Sequence, residues 1–122
     1  PTVATLRKAL QEHLADWAER ARRLDRPLEL LEVGYKSAST AVRKPFGWPQ
    51  DLDAGERRSA PELQKRAYRA LFAELRELSN LRSVYVWKYF TDPDRDQGGP
   101  LGFSPRGKPA EKVLRRAFGS RR

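Results

Sequence analysis

Apolar residues recur along the first segment at steps of three and four: Val3, Leu6, Leu10, Leu14, Trp17, Ala21 and Leu24. That spacing is the period of a helix with one buried stripe, and it predicts an amphipathic helix over residues 3–24. Pro27 closes it, because a proline disfavours helical geometry in the residue before it. The period then changes. LELLEV, residues 28–33, is a nearly continuous apolar run ending at Gly34, the pattern of a buried parallel strand near 28–34. Strict alternation would put Leu28, Leu30 and Glu32 on one face and Leu31 and Val33 on the other.

Residues 35–60 carry Ser37, Ser39, Pro45, Gly47, Pro49 and Gly55 without a clear period and read as a long loop. Loops of this length in compact domains are functional or disordered. The aromatics Tyr35, Phe46 and Trp48 argue against disorder. Ser59-Ala-Pro-Glu62 fits a capping box with proline in the first turn. Leu63, Ala67, Ala70, Leu71, Leu75 and Leu78 then supply the stripe of a helix over 61–78, ended by Ser79-Asn80. SVYVWKYF, residues 83–90, is β-branched and aromatic and predicts a second strand, with Tyr85, Trp87 and Tyr89 on one face. After the loop TDPDRDQGGPLGFSPRGKP, a short helix over 109–118 presents Val113, Leu114 and Phe118.

The order helix, strand, helix, strand, helix, with a long loop after each strand, demands an α/β fold with a parallel sheet and covering helices. Two strands neither close a barrel nor complete a doubly wound sheet, so further strands are expected upstream. A chain that opens on Pro1 and contains no Met likewise reads as one piece of a longer protein.

Charge adds a question about partners. With 25 Lys and Arg against 16 Asp and Glu, the formal charge is +9, enough to ask for an anionic partner. The basic residues are interleaved with acids, as in ERARR (19–23) and ELQKRAYR (62–69), which is the pattern of solvated helix faces. The absence of Cys removes disulfides, thiolate metal sites and cysteine nucleophiles. No apolar run approaches the roughly 18 residues that a membrane span needs.

In α/β folds the reactive groups gather at the C-terminal ends of the strands. Glu32 stands at such an end, as do Trp87 and Tyr89, and the long loops carry Tyr35, Phe46, Trp48 and Phe103 toward the same rim. Aromatic platforms of this kind stack on sugars and equally on bases. Glu32 is either a reactive carboxylate or one held in a salt bridge with Lys36 or Lys88. DPDRDQG (92–98) has aspartates at alternate positions, but counting from Asp92 the sixth place is Gln97 and the twelfth is Phe103, where a calcium loop needs Gly and Glu. His13, the single histidine, falls opposite the apolar stripe and reads as solvated. Walker, GxGxxG and GxSxG signatures are absent.

Taken in order, LLEVGYKSAS, KPFGWP, QKRAYRALF, VYVWKYF and GGPLGFSPRGKPAEKVLRRAF resemble the C-terminal part of family 113 glycoside hydrolases and related glycosidase-like TIM barrels. The resemblance runs over about residues 10–118. It implies the end of a (β/α)8 barrel, with residues 1–122 as a single C-terminal portion and the two strands as barrel strands seven and eight. It implies retaining hydrolysis of a β-linked polysaccharide, mannan being the family type, with no metal or organic cofactor. Glu32 matches the family nucleophile, while the acid/base, on the fourth strand, lies outside this chain. Trp87 is implied as the floor of the adjoining sugar subsite, with Tyr35 orienting the carboxylate and Trp48, Phe46 and Tyr89 at the rim. Gln64 and Tyr68 are expected to serve packing and capping. The partner is then an oligo- or polysaccharide and not nucleic acid. Two rival readings are a noncatalytic carbohydrate-binding barrel and a basic, aromatic module for single-stranded nucleic acid.

Overall fold

The structure, a computed structural model, describes residues 1–96 and 98–119. Helix α1 spans Val3–Arg23, strand β1 Leu28–Val33, helix α2 Pro61–Leu75, strand β2 Leu81–Val86 and helix α3 Pro109–Gly119, with short 3-10 turns in the loops. β1 and β2 lie side by side and parallel, and α2 belongs to the crossover between them. The expected α/β alternation is therefore present, with shifted ends.

Helix α1 starts where the Thr2 hydroxyl accepts the Thr5 N–H at 3.2 Å and ends on Arg20, Arg22 and Arg23, cations suited to a helix C-terminus. Asp25 takes a left-handed φ of 52° and the Arg26 N–H returns to the Ala21 carbonyl at 2.9 Å, a turn that hands the chain to Pro27. Helix α2 opens on Pro61 as expected, but the capping box does not form. Ala60 is the N-cap and no side chain caps it. The Ser59 backbone is committed to a bridge with Ala38, and Glu62 pairs with Lys65 at 3.0 Å.

Helix α2 also stops at Leu75, three residues early, because β2 begins early. Leu81 is already paired with Leu28, and the Leu28 N–H takes the Asn80 carbonyl at 2.9 Å. The Asn80 amide donates to the Ala18 carbonyl at 2.9 Å, tying this turn to α1. β2 ends at Val86, opposite Val33 where β1 ends, so Trp87 and Tyr89 lie beyond the strand on which the sequence placed them.

The core joins Leu14, Leu30, Tyr68, Leu71, Phe72, Leu75, Ala110 and Leu114, with Leu28, Val33, Val84 and Val86 packed against it. It sits between one face of the sheet and the three helices. Arg7 meets the nearly buried carboxylate of Glu74 at 2.5 Å, pinning α1 to α2. The predicted α1 stripe is too wide: Trp17 and Leu24 are exposed, Trp17 at the stripe's margin and Leu24 past the helix end, while Leu14 and Ala18 are buried.

One irregularity changes the reading of β1. The pairing slips between Leu30 and Val33, so Leu28, Leu30 and Val33 all reach the helix-side core while Leu31 and Glu32 are both exposed. Glu32 is thus not in the Leu28–Leu30 row that strict alternation assigned to it. Placing a carboxylate among Leu30, Leu71 and Tyr68 would cost its hydration without a partner. The slip substitutes Val33 for it.

Candidate functional site at the strand ends

The two strand ends are locked at Gly34. The Trp87 N–H donates to the Val33 carbonyl at 2.8 Å, and a Cβ at Gly34 would collide with the Trp87 carbonyl oxygen. Only glycine permits this approach, which brings Trp87 beside the end of β1. A cis peptide bond joins Trp87 to Lys88.

The three residues after Gly34 organise both loops. The Tyr35 carbonyl accepts the buried Gln64 amide at 2.8 Å, and that amide also donates to the Phe103 carbonyl at 3.1 Å. The Ser37 N–H reaches the carbonyls of Leu101 and Gly102 at 3.1 and 3.0 Å, and the Ser37 carbonyl takes the Ala60 N–H at 2.8 Å. Lys36 is fully buried, with its ammonium donating to the carbonyls of Lys44 and Gly47. Gln64 therefore joins two loops to α2, a role beyond the packing and capping expected of it.

These ties assemble an aromatic cluster. Trp48 meets Trp87 with centroids 6.5 Å apart and Phe103 at 5.5 Å, both edge to face. The Lys88 ammonium lies 4.7 Å from the Trp87 ring centroid, 4.9 Å from Trp48 and 5.5 Å from Phe90. Tyr35 instead turns edge-on to Tyr68 at 5.2 Å, and burial pushes its hydroxyl up to about 12, so it stays a proton donor through the neutral range.

The surrounding charges are set by their contacts. Burial holds Lys36 below the ordinary lysine range, with Lys44 reinforcing and Glu56 opposing the shift. Burial does the same to Lys108, against Asp96. Glu111 is held below the usual carboxylate range by the Gly107 N–H first, then by the Tyr89 hydroxyl and Arg115. Its bonds to the Gly107 N–H and the Tyr89 hydroxyl are each 2.9 Å. Glu56 is likewise kept ionised, chiefly by its hydrogen bond from Lys44.

Of the residues expected at the site, Trp48 and Trp87 are brought together. Glu32 is exposed one residue before the end of β1, and the ammonium of Lys36, one of its expected salt-bridge partners, is spent on carbonyl oxygens. Tyr89 is exposed with its hydroxyl on Glu111. Phe46, 92% exposed, stands apart from the cluster. The bonds from Lys36 to the carbonyls of Lys44 and Gly47, and Lys88 over the tryptophans, left no sequence signal beyond a basic composition. In the DPDRDQG segment Gln97 lies outside the described residues; Asp92 accepts the Asp94 N–H and pairs with Arg95. Among the described residues no three acidic or histidine side chains converge to hold a metal, and no helix is long and apolar enough to cross a membrane.

Much of the positive charge lies elsewhere. A groove of about 1060 Å³ runs between the helices, lined by Arg7, Lys65, Arg69, Arg76, Lys112 and Arg116 among others, and neither Trp48 nor Trp87 borders it. Basic and stacking surfaces are separate.

No protein-family model and no curated protein matches this chain. Solved structures do. A GH113 beta-1,4-mannanase complex shares 22% identity and a TM-score of 0.70 over 98% of this chain and 37% of its own. The GH113 beta-mannanase AaManA from Alicyclobacillus acidocaldarius, in complex with ManMIm, gives 24% and 0.73 over 90% of this chain and 34% of its own. A further GH113 beta-1,4-mannanase gives 24% and 0.62 over 87% and 36%. The chain thus spans about a third of the length of the structures it matches. Two parallel strands and three helices here have the fold of part of a TIM barrel, similar to a portion of these GH113 structures.

Proposed function

We propose that this chain carries the nucleophile and one sugar-stacking wall of a retaining glycoside hydrolase acting on a β-linked polysaccharide such as mannan. The observation that supports it most is a coincidence at one end of the sheet. An exposed carboxylate, Glu32, stands one residue before the end of β1 while the Trp48–Trp87 wedge is pinned to the same strand end through Gly34, in a fold whose likenesses are to β-mannanases. Reactive groups of α/β barrels gather at that end. On this reading residues 1–122 are a C-terminal portion of the barrel, and β1 and β2 are its seventh and eighth strands.

Glu32 attacks the anomeric carbon as the glycosidic bond breaks, giving a glycosyl-enzyme ester; a second carboxyl protonates the leaving oxygen and later deprotonates the water that releases the sugar. That second carboxyl must carry a proton near neutral pH. The resemblance to family 113 glycoside hydrolases puts it at the end of the fourth barrel strand, outside this chain. Trp87 forms the floor of the sugar subsite and Trp48 its wall, with Tyr89 and Phe46 at the rim. Tyr35 turns edge-on to Tyr68 and packs against the helix-side core, so on this reading the orienting of the carboxylate falls to other residues.

In the protein carrying the complete barrel, Glu32→Gln is expected to lower turnover of a β-1,4-manno-oligosaccharide by about a thousandfold or more while leaving its affinity within a factor of a few. Steady-state kinetics and calorimetric titration measure the two. Turnover that survives the substitution removes Glu32 from the nucleophile role.

A further inference from the structure

Trp48 and Phe103 stand on different loops, yet the two rings meet at 5.5 Å. Each ring follows directly on a carbonyl held by a lysine. The Lys36 ammonium donates to the carbonyls of Lys44 and Gly47, the residue before Trp48, the latter at 2.8 Å. The Lys108 ammonium donates to the carbonyls of Gly99 and Gly102, the residue before Phe103, at 3.1 and 3.0 Å. The two arrangements share a node: the Gly102 carbonyl also takes the N–H of Ser37, the neighbour of Lys36. At the seam a Cβ on Gly98, whose φ is 94°, would run into the Pro49 ring at 2.8 Å, so the loops are in contact beside Trp48 as well.

The geometry points to Lys36 and Lys108 as paired positioning residues, two ammonium clamps that fix the Trp48–Phe103 contact and, through Trp48, the wedge with Trp87 on which a sugar ring is received. A buried ammonium is expensive to hold except where carbonyl oxygens replace its water, and here those oxygens belong to the backbone turns that set the rings. An ammonium with three donors converges two carbonyls of one turn on a point, which an apolar side chain of the same length cannot do. The groups bearing on Lys36 are Glu56 and Lys44, and on Lys108 Asp96; burial outweighs them and holds both ammonium groups below the ordinary lysine range. The sugar-binding part of this proposal rests on the glycosidase reading, whereas the clamping part does not.

The test uses the protein carrying the complete barrel, labelled with 5-fluorotryptophan, in which the fluorine resonances from Trp17, Trp48 and Trp87 are assigned with single Trp→Phe variants. Trp17, on α1 and 48% exposed, is an internal reference far from the loops in sequence and packing. Lys36→Met and Lys108→Met should each shift or broaden the Trp48 resonance and leave Trp17 unmoved, and each should weaken mannotriose binding about tenfold, the worth of one stacking contact. A Trp48 resonance unchanged in Lys36→Met overturns the clamp. Should that variant also move Trp17, through a general loss of structure, Lys108→Met decides: it must move Trp48 with Trp17 unmoved, and its failure to do so overturns the paired clamp equally. Absence of mannotriose binding to the unmutated protein would count against the glycosidase reading alone, because the resonances still report the clamp.

Discussion

The helix side of the sheet and the loop side of its C-terminal end are built on different principles. The helix side is dry: Leu14, Leu71, Leu75 and Leu114 close on Leu30, and stability comes from apolar area removed from water. The loop side is wired: Gln64, Ser37, Lys36 and Lys108 donate to backbone carbonyls, and the aromatic rings are held by polar groups behind them. The difference teaches where precision is needed. Burial is nondirectional and tolerates sliding, whereas hydrogen bonds to particular carbonyls fix an orientation.

The largest effect that separates the two regions is a cavity on the dry side. Leu71→Ala, at a position 3% exposed, is expected to cost about 3–4 kcal/mol in urea unfolding; a loss under 1 kcal/mol would mean that the helix side is no tighter than the rim. Next comes the seam, where Tyr35 meets Tyr68. Burial raises both hydroxyls, Tyr35 to about 12. Unfolded tyrosines ionise near 10, so between there and 12 the unfolded chain binds fewer protons than the folded one and stability falls as pH rises. At full extent this is worth about 3 kcal/mol for Tyr35. Denaturation midpoints across pH 9–12 measure it, and a flat profile, or one that Tyr35→Phe leaves equally steep, would place Tyr35 in water. The smallest effect is the sharpest contrast. Phe46→Ala should change stability by less than about 0.5 kcal/mol, because that ring is nearly all exposed; a drop of 2 kcal/mol would put Phe46 in the cluster after all.

The dry side was legible in the sequence because periodicity records it directly. The α2 stripe of Leu63, Ala67, Ala70, Leu71 and Leu75 is buried as spaced, and LELLEV is a parallel strand. What periodicity overstates is width, as at Trp17, where a hydrophobic residue at the edge of a stripe is left half exposed. The partial-barrel fold shared with the matched structures was legible through the order of short motifs. The strand end was not, for two reasons. Pairing can slip by a residue without altering composition, which is how Glu32 left the row assigned to it. A lysine that serves carbonyls, such as Lys36, is also written like any surface lysine. KPFGWP announces aromatics, but only the folded turn separates Trp48, which joins the cluster, from Phe46, which does not.

The slip between Leu30 and Val33 also bears on redesign. A designer regularising this sheet would keep all six residues of β1 and force them into even pairing, without the slip. The repaired strand would turn Glu32 toward the leucines in Val33's place and hand the exposed position to an aliphatic side chain. Evenness of the ladder and access for a charged group are competing objectives at this strand end. An unpaired step in the backbone is how a mostly apolar strand can finish with an acid in the open.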